Sequence, residues 1–402
     1  MTLVSHQTSL LVFLLIVLLI SLSNLRAIPR LGARRRRGEQ DGERLPRVSI
    51  LVPARNEAKT IEACLTSLLA QDYPDTETLV LDDSDDETSL ILDSLQTQNR
   101  IRVIRSRPLP PGWMGKNWAC HQLSREATGD LLLFVDADTT HAPAMLREAV
   151  ALLEWERLGL LSVLPRQRVS TWAERLILPI LPWSLQTFYP FALARWTGWR
   201  VLAAAVGQVM LFRREVYDRI GGHGAVRSSV LDDRELVRRV ADHGLRWALA
   251  DAGPLASVRM YTHPREVWNG LSKNLFAIFS YNLPLFLFVW SWLLWLAWEP
   301  PILLILYAAR VPWVASAVVG PAAAATAIGL GLWWISNRRF GLPKAQTVLH
   351  PFTLALVYLI ALRSVAWRYL GLGAWKGRPL LLPSGVIRGP RSKGSANRDP
   401  RA

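Results

Sequence analysis

Two charge-poor apolar stretches, 9–22 and 283–334, enclose a middle in which most of the charge is gathered, between Arg34 and Trp268. A chain partitioned in this way does not collapse around one core. It places a soluble body between segments that prefer lipid. The partition reconciles two figures that otherwise conflict, since half of the residues are hydrophobic and a fifth are charged. At 402 residues there is room for one domain of common size and a membrane part.

The formal charge of +15 is concentrated in the four arginines at 34–37 and in the tail after Arg368. Both clusters adjoin apolar segments, and neither is interleaved with stacking aromatics on one module. They therefore suit anionic headgroups, and nucleic acid is not expected as a partner. No basic residue precedes the first apolar run, whereas Arg26, Arg30 and the 34–37 cluster follow it. A signal peptide would show the reverse order. The run reads as an uncleaved anchor (1–25), followed by a basic linker (26–46), and the positive-inside rule puts the next domain in the cytoplasm. The only cysteines, Cys64 and Cys120, fall in helical patterns without disulfide or zinc spacing, as free thiols of a reducing compartment do.

From Arg47 the pattern is α/β. Buried-strand runs at 48–53, 78–83, 101–106 and 130–138 alternate with helical periods at 57–70 and around 87–96. Continuous apolar strands separated by helices predict a Rossmann-like, mostly parallel sheet covered on both faces, whose ligands bind beyond the strands' carboxyl ends. The polar clusters fall at those ends: Arg55 and Glu57 after the first strand, Asp82 to Asp86 after the second, Asp136 and Asp138 after the fourth. The first turn reads PARNEA in place of G-x-G-x-x-G, which argues against a nicotinamide dinucleotide.

Asp136 and Asp138 close a buried strand one residue apart, and such carboxylates repel unless a cation lies between them. A hard divalent ion bridging to a diphosphate answers that need, and a turn or cap role is the alternative. Asp85 and Asp86 suit the first turn of the following helix. Asp82 and Asp83 lie too early for that and are placed to accept from a nucleobase or ribose. Lys116, in GWMGKNWAC, precedes a helix where a cation suits a diphosphate, or is an ordinary solvated lysine. Asp232 and Asp233 open the pattern ELVRRVADHG, as caps or as a catalytic pair.

The ordered segments VSILVPARNE, LVLDDSDDET, GWMGKNWACHQL, GDLLLFVDAD and LDDRELVRRVADHG, over about 47–274, resemble family 2 glycosyltransferases of the GT-A fold. The resemblance implies a nucleotide-sugar donor, with Pro53, Arg55, Glu57, Asp82 and Asp83 around a nucleoside, expected to be uridine. It further implies Lys116 at the diphosphate, Asp138 with Asp136 on Mg²⁺ or Mn²⁺, and Asp233, or its neighbour Asp232, as the base of an inverting transfer. GWMGKNWAC, the stretch 207–223 and WKGR at 375–378 look most like carotenoid and hopanoid-associated members, so the expected acceptor is a hydrophobic lipid. The processive members' Q-x-x-R-W is replaced by a stretch with Arg259, Tyr261, Arg265 and Trp268, which predicts one sugar per acceptor. A polyprenyl-phosphate sugar transferase is the alternative enzyme. A non-catalytic membrane scaffold with a degenerate domain is the alternative of another class.

The remaining organisation follows from apolarity. Residues 275–365 supply three or four transmembrane helices, broken at Glu299 to Pro301, and 366–402 form a basic tail. The apolar segment 176–194 contains Pro179, Pro182 and Pro190 and lies between Asp138 and Asp233, which must share one side of the membrane. It is expected in the interface, with Trp172, Trp183, Tyr189, Trp196 and Trp199 at headgroup level. The alternative is a helix packed inside the soluble domain.

Overall fold

The computed structural model describes residues 3–33, 45–98, 101–371, 374–375 and 378–379. After an N-terminal helix α1 (Leu3–Ala27), the α/β body runs β1 (Val48–Ala54), α2 (Ile61–Leu69), β2 (Thr76–Asp82), α3 (Thr88–Thr97), β3 (Arg102–Arg105), α4 (Gly115–Glu126) and β4 (Leu131–Val135). It continues through β5 (Thr139–His141), α5 (Met145–Trp155), β6 (Leu160–Leu164) and β7 (Arg166–Gln167). Three short helices follow, α6 (Trp172–Ile177), α7 (Ile180–Phe188) and α8 (Phe191–Thr197). The body closes with β8 (Val209–Arg213), α9 (Arg214–Arg219), α10 (Asp232–Asp242), β9 (Trp247–Asp251) and β10 (Ala256–Val258).

Seven strands form one sheet in the order β3-β2-β1-β4-β8-β6-β9, parallel except at β8, which is antiparallel to both neighbours. Alternation along the strands feeds two cores. Val48, Ile50 and Val52 pack with α2, α3 and α5, whereas Leu51, Leu79 and Leu81 pack with α4, α9 and α10. Every residue of β4, β6 and β9 is buried, as a sheet covered on both faces requires. A smaller sheet, β5-β10-β7, sets the backbone after Asp138 against the chain that precedes Arg259. This is the GT-A-like α/β architecture read from the sequence.

Beyond β10 lie α11 (Pro264–Ile278), α12 (Leu283–Ala308), α13 (Val319–Phe340) and α14 (Gln346–Leu370). Helices Leu3–Ala27, Leu283–Ala308, Ser316–Phe340 and Gln346–Leu370 are each long and apolar enough to cross a membrane. The expected break at Glu299 to Pro301 is absent, because α12 runs through both prolines and the chain turns only at Arg310, in the left-handed region. Proline removes hydrogen bonds from a helix interior, but packing against neighbouring spans offsets that loss. Glu299 is met by His6 of α1 at 2.9 Å, and Trp298 donates to the Pro351 carbonyl at 3.1 Å.

One tie between the domain and these helices lies at the end of β9. Arg30 and Arg339 converge on the buried Asp251 at the end of β9, with N···O distances of 3.1 and 3.6 Å. Leu31 donates its N–H to the Asp251 carbonyl at 2.9 Å, so residues 28–33 of the expected linker are docked to the domain. The arginines at 34–37 lie outside the described residues.

Within the 176–194 segment, Trp183 is buried and stacks on Trp333 of α13 at 4.4 Å. Polar groups on α1 receive the backbone that the prolines free: Asn24 Nδ2 donates to the carbonyls of Gln186 and Tyr189, and Gln186 donates to that of Ser21. Helix α7 is thus a wedge against α1 and α13, and the chain bends by 53° into α8.

Candidate active site

The carboxyl ends of β1, β2 and β4 gather the expected side chains into two neighbouring groups. In the first, Lys116 enters on the first turn of α4, and Asn117 Nδ2 donates to the carbonyls of Val226 and Ser229 at 2.8 and 3.0 Å. Those bonds fasten the chain just before α10 to the start of α4, and so bring Asp232 and Asp233 to Lys116. Lys116 Nζ lies 2.6 Å from Asp136 Oδ1. Gly207 borders the same spot, since a Cβ there would fall 3.4 Å from the Asp233 Cβ and 3.5 Å from the Lys116 Nζ.

Electrostatics separates Lys116, Asp232 and Asp233. Burial opposes the charge on Lys116, but Asp136 and Asp232 outweigh it and hold the ammonium well above its ordinary value. Burial would raise Asp232, yet Lys116 and the His223 ring hold it well below the carboxylate range. Asp233 goes the other way: burial, then the charge of Asp232, push it up to about 7. One carboxylate of the pair therefore stays ionised while its neighbour titrates near neutrality, the condition of a proton acceptor. The pair lies in the first turn of α10, behind its N-cap Leu231, and Asp233 Oδ1 accepts from the Arg234 N–H at 2.7 Å.

His223 and Asn117 went unremarked in the sequence, although both lie in quoted motifs. His223 is buried, with Nδ1 2.8 Å from the Tyr217 hydroxyl and Nε2 3.7 Å from Asp232 Oδ2. Burial lowers its pKa against the pull of Asp232. Only the long-range contact marks it, and a lone histidine pattern carries no such signal.

The second group lies at the ends of β1 and β2. Arg55 pairs with Asp83 at 3.4 Å and Asp85 at 2.8 Å, while Asn56, held at φ 53°, accepts from the Asp85 N–H. Pro53 precedes them in β1, and Glu57 accepts from Thr60. Asp82 is 4% exposed, and its carboxylate accepts from Arg105, from the Ser89 hydroxyl at 2.6 Å and from the Ser84 N–H at 3.1 Å. As the last residue of β2 its side chain turns inward, so it braces the strand end and leaves Asp83 as the outer carboxylate. Asp86 caps the next helix through the Thr88 N–H at 3.0 Å, as expected, but Asp85 serves Arg55.

Asp138 stands on the far side of Asp136, where Arg259 donates its N–H to the Asp138 carbonyl at 3.5 Å. Burial pushes the Cys64 thiol up to about 12, with the charges of Asp138, Asp136 and Glu57 adding to it, so those carboxylates share one neighbourhood. The Tyr261 hydroxyl is raised by burial and then by Asp138. Its ring lies on Gly270, where a Cβ would fall 2.2 Å from the hydroxyl oxygen, so α11 needs glycine there. Among the described residues no three His, Cys, Asp or Glu side chains form a complete metal cage. Two carboxylates nevertheless fit an ion of the Mg²⁺ or Mn²⁺ type, which takes most other ligands from phosphate and water.

Residues 49–221 match the family described as Glycosyl transferase family 2. The chain is 28% identical over 232 residues to 4,4'-diaponeurosporenoate glycosyltransferase of Staphylococcus aureus, covering 57% of this chain and 60% of that protein. It is 27% identical over 241 residues to beta-monoglucosyldiacylglycerol synthase of Trichormus variabilis, covering 56% and 48%. The chain thus spans about half to three-fifths of the length of these curated relatives. Among solved structures, a mannosyltransferase of Pyrobaculum calidifontis in complex with GDP-Man and Mn2+ aligns with a TM-score of 0.53 at 20% identity, covering 91% of this chain and 99% of that one. That likeness is one of fold.

Proposed function

We propose that this chain, which carries a glycosyltransferase family 2 domain over residues 49–221, moves one sugar from a nucleotide-sugar, a UDP-sugar by preference, onto a hydrophobic lipid acceptor at the cytoplasmic face of a membrane. The observation that carries the reading is the cluster of Lys116, Asp136, Asp232 and Asp233 at the sheet's carboxyl edge. It combines a fixed cation for a diphosphate with a carboxylate that titrates near neutrality. The four apolar helices and the named lipid acceptors of the two relatives support the lipid side.

In this mechanism Pro53, Arg55, Glu57 and Asp83 border the nucleoside, with Asp82 bracing the end of β2 from within. Lys116 faces the diphosphate. Asp138 and Asp136 would hold a divalent ion, which supplies charge stabilisation for the departing diphosphate. Asp233 takes the proton of the acceptor hydroxyl as its oxygen attacks the anomeric carbon. The bond from that carbon to the phosphate oxygen breaks on the opposite face, through an oxocarbenium-like state, and the configuration inverts. Asp232, held ionised by Lys116 and His223, keeps Asp233 basic.

The test is product analysis. Purified protein is incubated with Mn²⁺, a panel of radiolabelled UDP- and GDP-sugars and a membrane lipid extract. Label in the organic phase with inverted anomeric configuration is expected. Retention of configuration, or no labelled lipid from any donor, would overturn the reading.

A further inference from the structure

We infer that the exposed apolar segment at 193–201 is a lipid-headgroup docking surface, and that Arg200 passes its seating on to α10, the helix that carries Asp232 and Asp233. Trp196 is 84% exposed, Trp199 59% and Val201 68%, with Leu193 at 40% beside them. So much bare aromatic and aliphatic surface on consecutive turns is the signature of an interaction face. Its height in the molecule identifies the partner. Arg195 donates to the carbonyl of Ala27, the last residue of α1, and the Phe191 N–H donates to Asn24. The same end of α1 is met by Arg339, near the end of α13. Helix α8 therefore sits where two candidate spans leave the hydrocarbon layer on the catalytic-domain side. Tryptophan, with an apolar ring and a polar N–H, prefers that layer. The occupant is the bilayer that the helices themselves cross.

Arg200 lies inside this segment and reaches away from it, to Glu235 at 3.5 Å and Asp242 at 3.3 Å, both on α10. From its other flank α10 is held by Arg234, whose guanidinium donates to the Ile278 carbonyl at 2.7 Å, just before the first C-terminal span. The acidic pair thus hangs between two elements at the membrane boundary. Arg200 is a positioning residue in this arrangement and touches no reacting group.

Two measurements on the full chain in phosphatidylcholine–phosphatidylglycerol nanodiscs test this without assuming sugar transfer. Val201→Cys is labelled with an environment-sensitive fluorophore, the native Cys64 and Cys120 being buried. Quenching by headgroup-spin-labelled lipid and protection from aqueous iodide are expected. Free quenching by iodide without lipid quenching would overturn the docking surface, whatever the protein transfers. Hydrogen exchange of the 232–242 amides then reads the coupling. Trp196→Ser with Trp199→Ser, and separately Arg200→Ala, should speed that exchange roughly two- to fivefold, the scale of exposed ion pairs, leaving α5 unchanged, while Arg200→Lys restores most of it. Unaltered α10 exchange in both variants would overturn the coupling.

Discussion

At the level of single residues, Asp233 carries the sharpest consequences. An acid raised to about 7 keeps its proton in the folded chain at pH values where the unfolded chain has released it. Stability contributed by this group is therefore lost as pH rises from about 4 to about 7. Asp233→Asn should gain thermal stability at pH 8, on the order of 2 kcal/mol, and gain little at pH 4. The same substitution removes the proton acceptor, so transfer should fall by roughly two to four orders of magnitude while calorimetry finds donor binding intact. Full turnover in Asp233→Asn would remove it from the mechanism, and an equal loss confined to Asp232→Asn would move the base by one residue. In the wild type, the rate should rise with pH up to about 7, or to a lower value where a bound cation draws Asp233 down. Asp138 makes a separate prediction: Asp138→Ala and excess chelator should each abolish transfer, and turnover that survives chelator would exclude the ion. The positions of Asp83, Asp136 and Asp138 were legible because they fall just past the carboxyl ends of β2 and β4, where such sheets bind ligands. The bracing of Asp82 was not legible, because sequence does not show Arg105, 23 positions away, folding back onto it.

Among the elements, β1, β2 and α3 were readable to within a few residues, since strands buried on both faces read as continuous apolar runs and the helix after them keeps its own period. The helix at 57–70 was drawn too long: the chain first makes the turn at Asn56 that places Arg55, and α2 begins at Ile61. The break expected at the double proline of α12 was read by local propensity alone, and partners far along the chain decide it. His6 meets Glu299, Asn24 satisfies carbonyls of the α7 wedge, and Gln186 in turn donates to the Ser21 carbonyl of α1. The clamp on Asp251 invites a test at this scale. Asp251→Ala leaves Arg30 and Arg339 facing each other without their shared carboxylate, and removing one partner of a buried ion pair costs about 3 kcal/mol. A clear fall in melting temperature in detergent is expected. An unchanged melting temperature would show that the domain is held to the helices by other contacts.

For the whole molecule, the arrangement makes one statement that no single residue makes. A sheet whose carboxyl edge lies beside the acidic pair is tied through Asp251, α8 and α11 to helices able to cross a membrane, so the proposed donor and acceptor would meet on one face. Nucleotide-sugars do not cross bilayers, and the side on which the donor is offered can therefore be controlled. The direct measurement uses sealed vesicles of both orientations, made from cells expressing the chain and supplied with radiolabelled donor outside. Label should enter the organic phase with inside-out vesicles and should be absent with right-side-out vesicles until detergent is added. Labelled lipid formed only by intact right-side-out vesicles, or by neither orientation before or after detergent, would contradict the account.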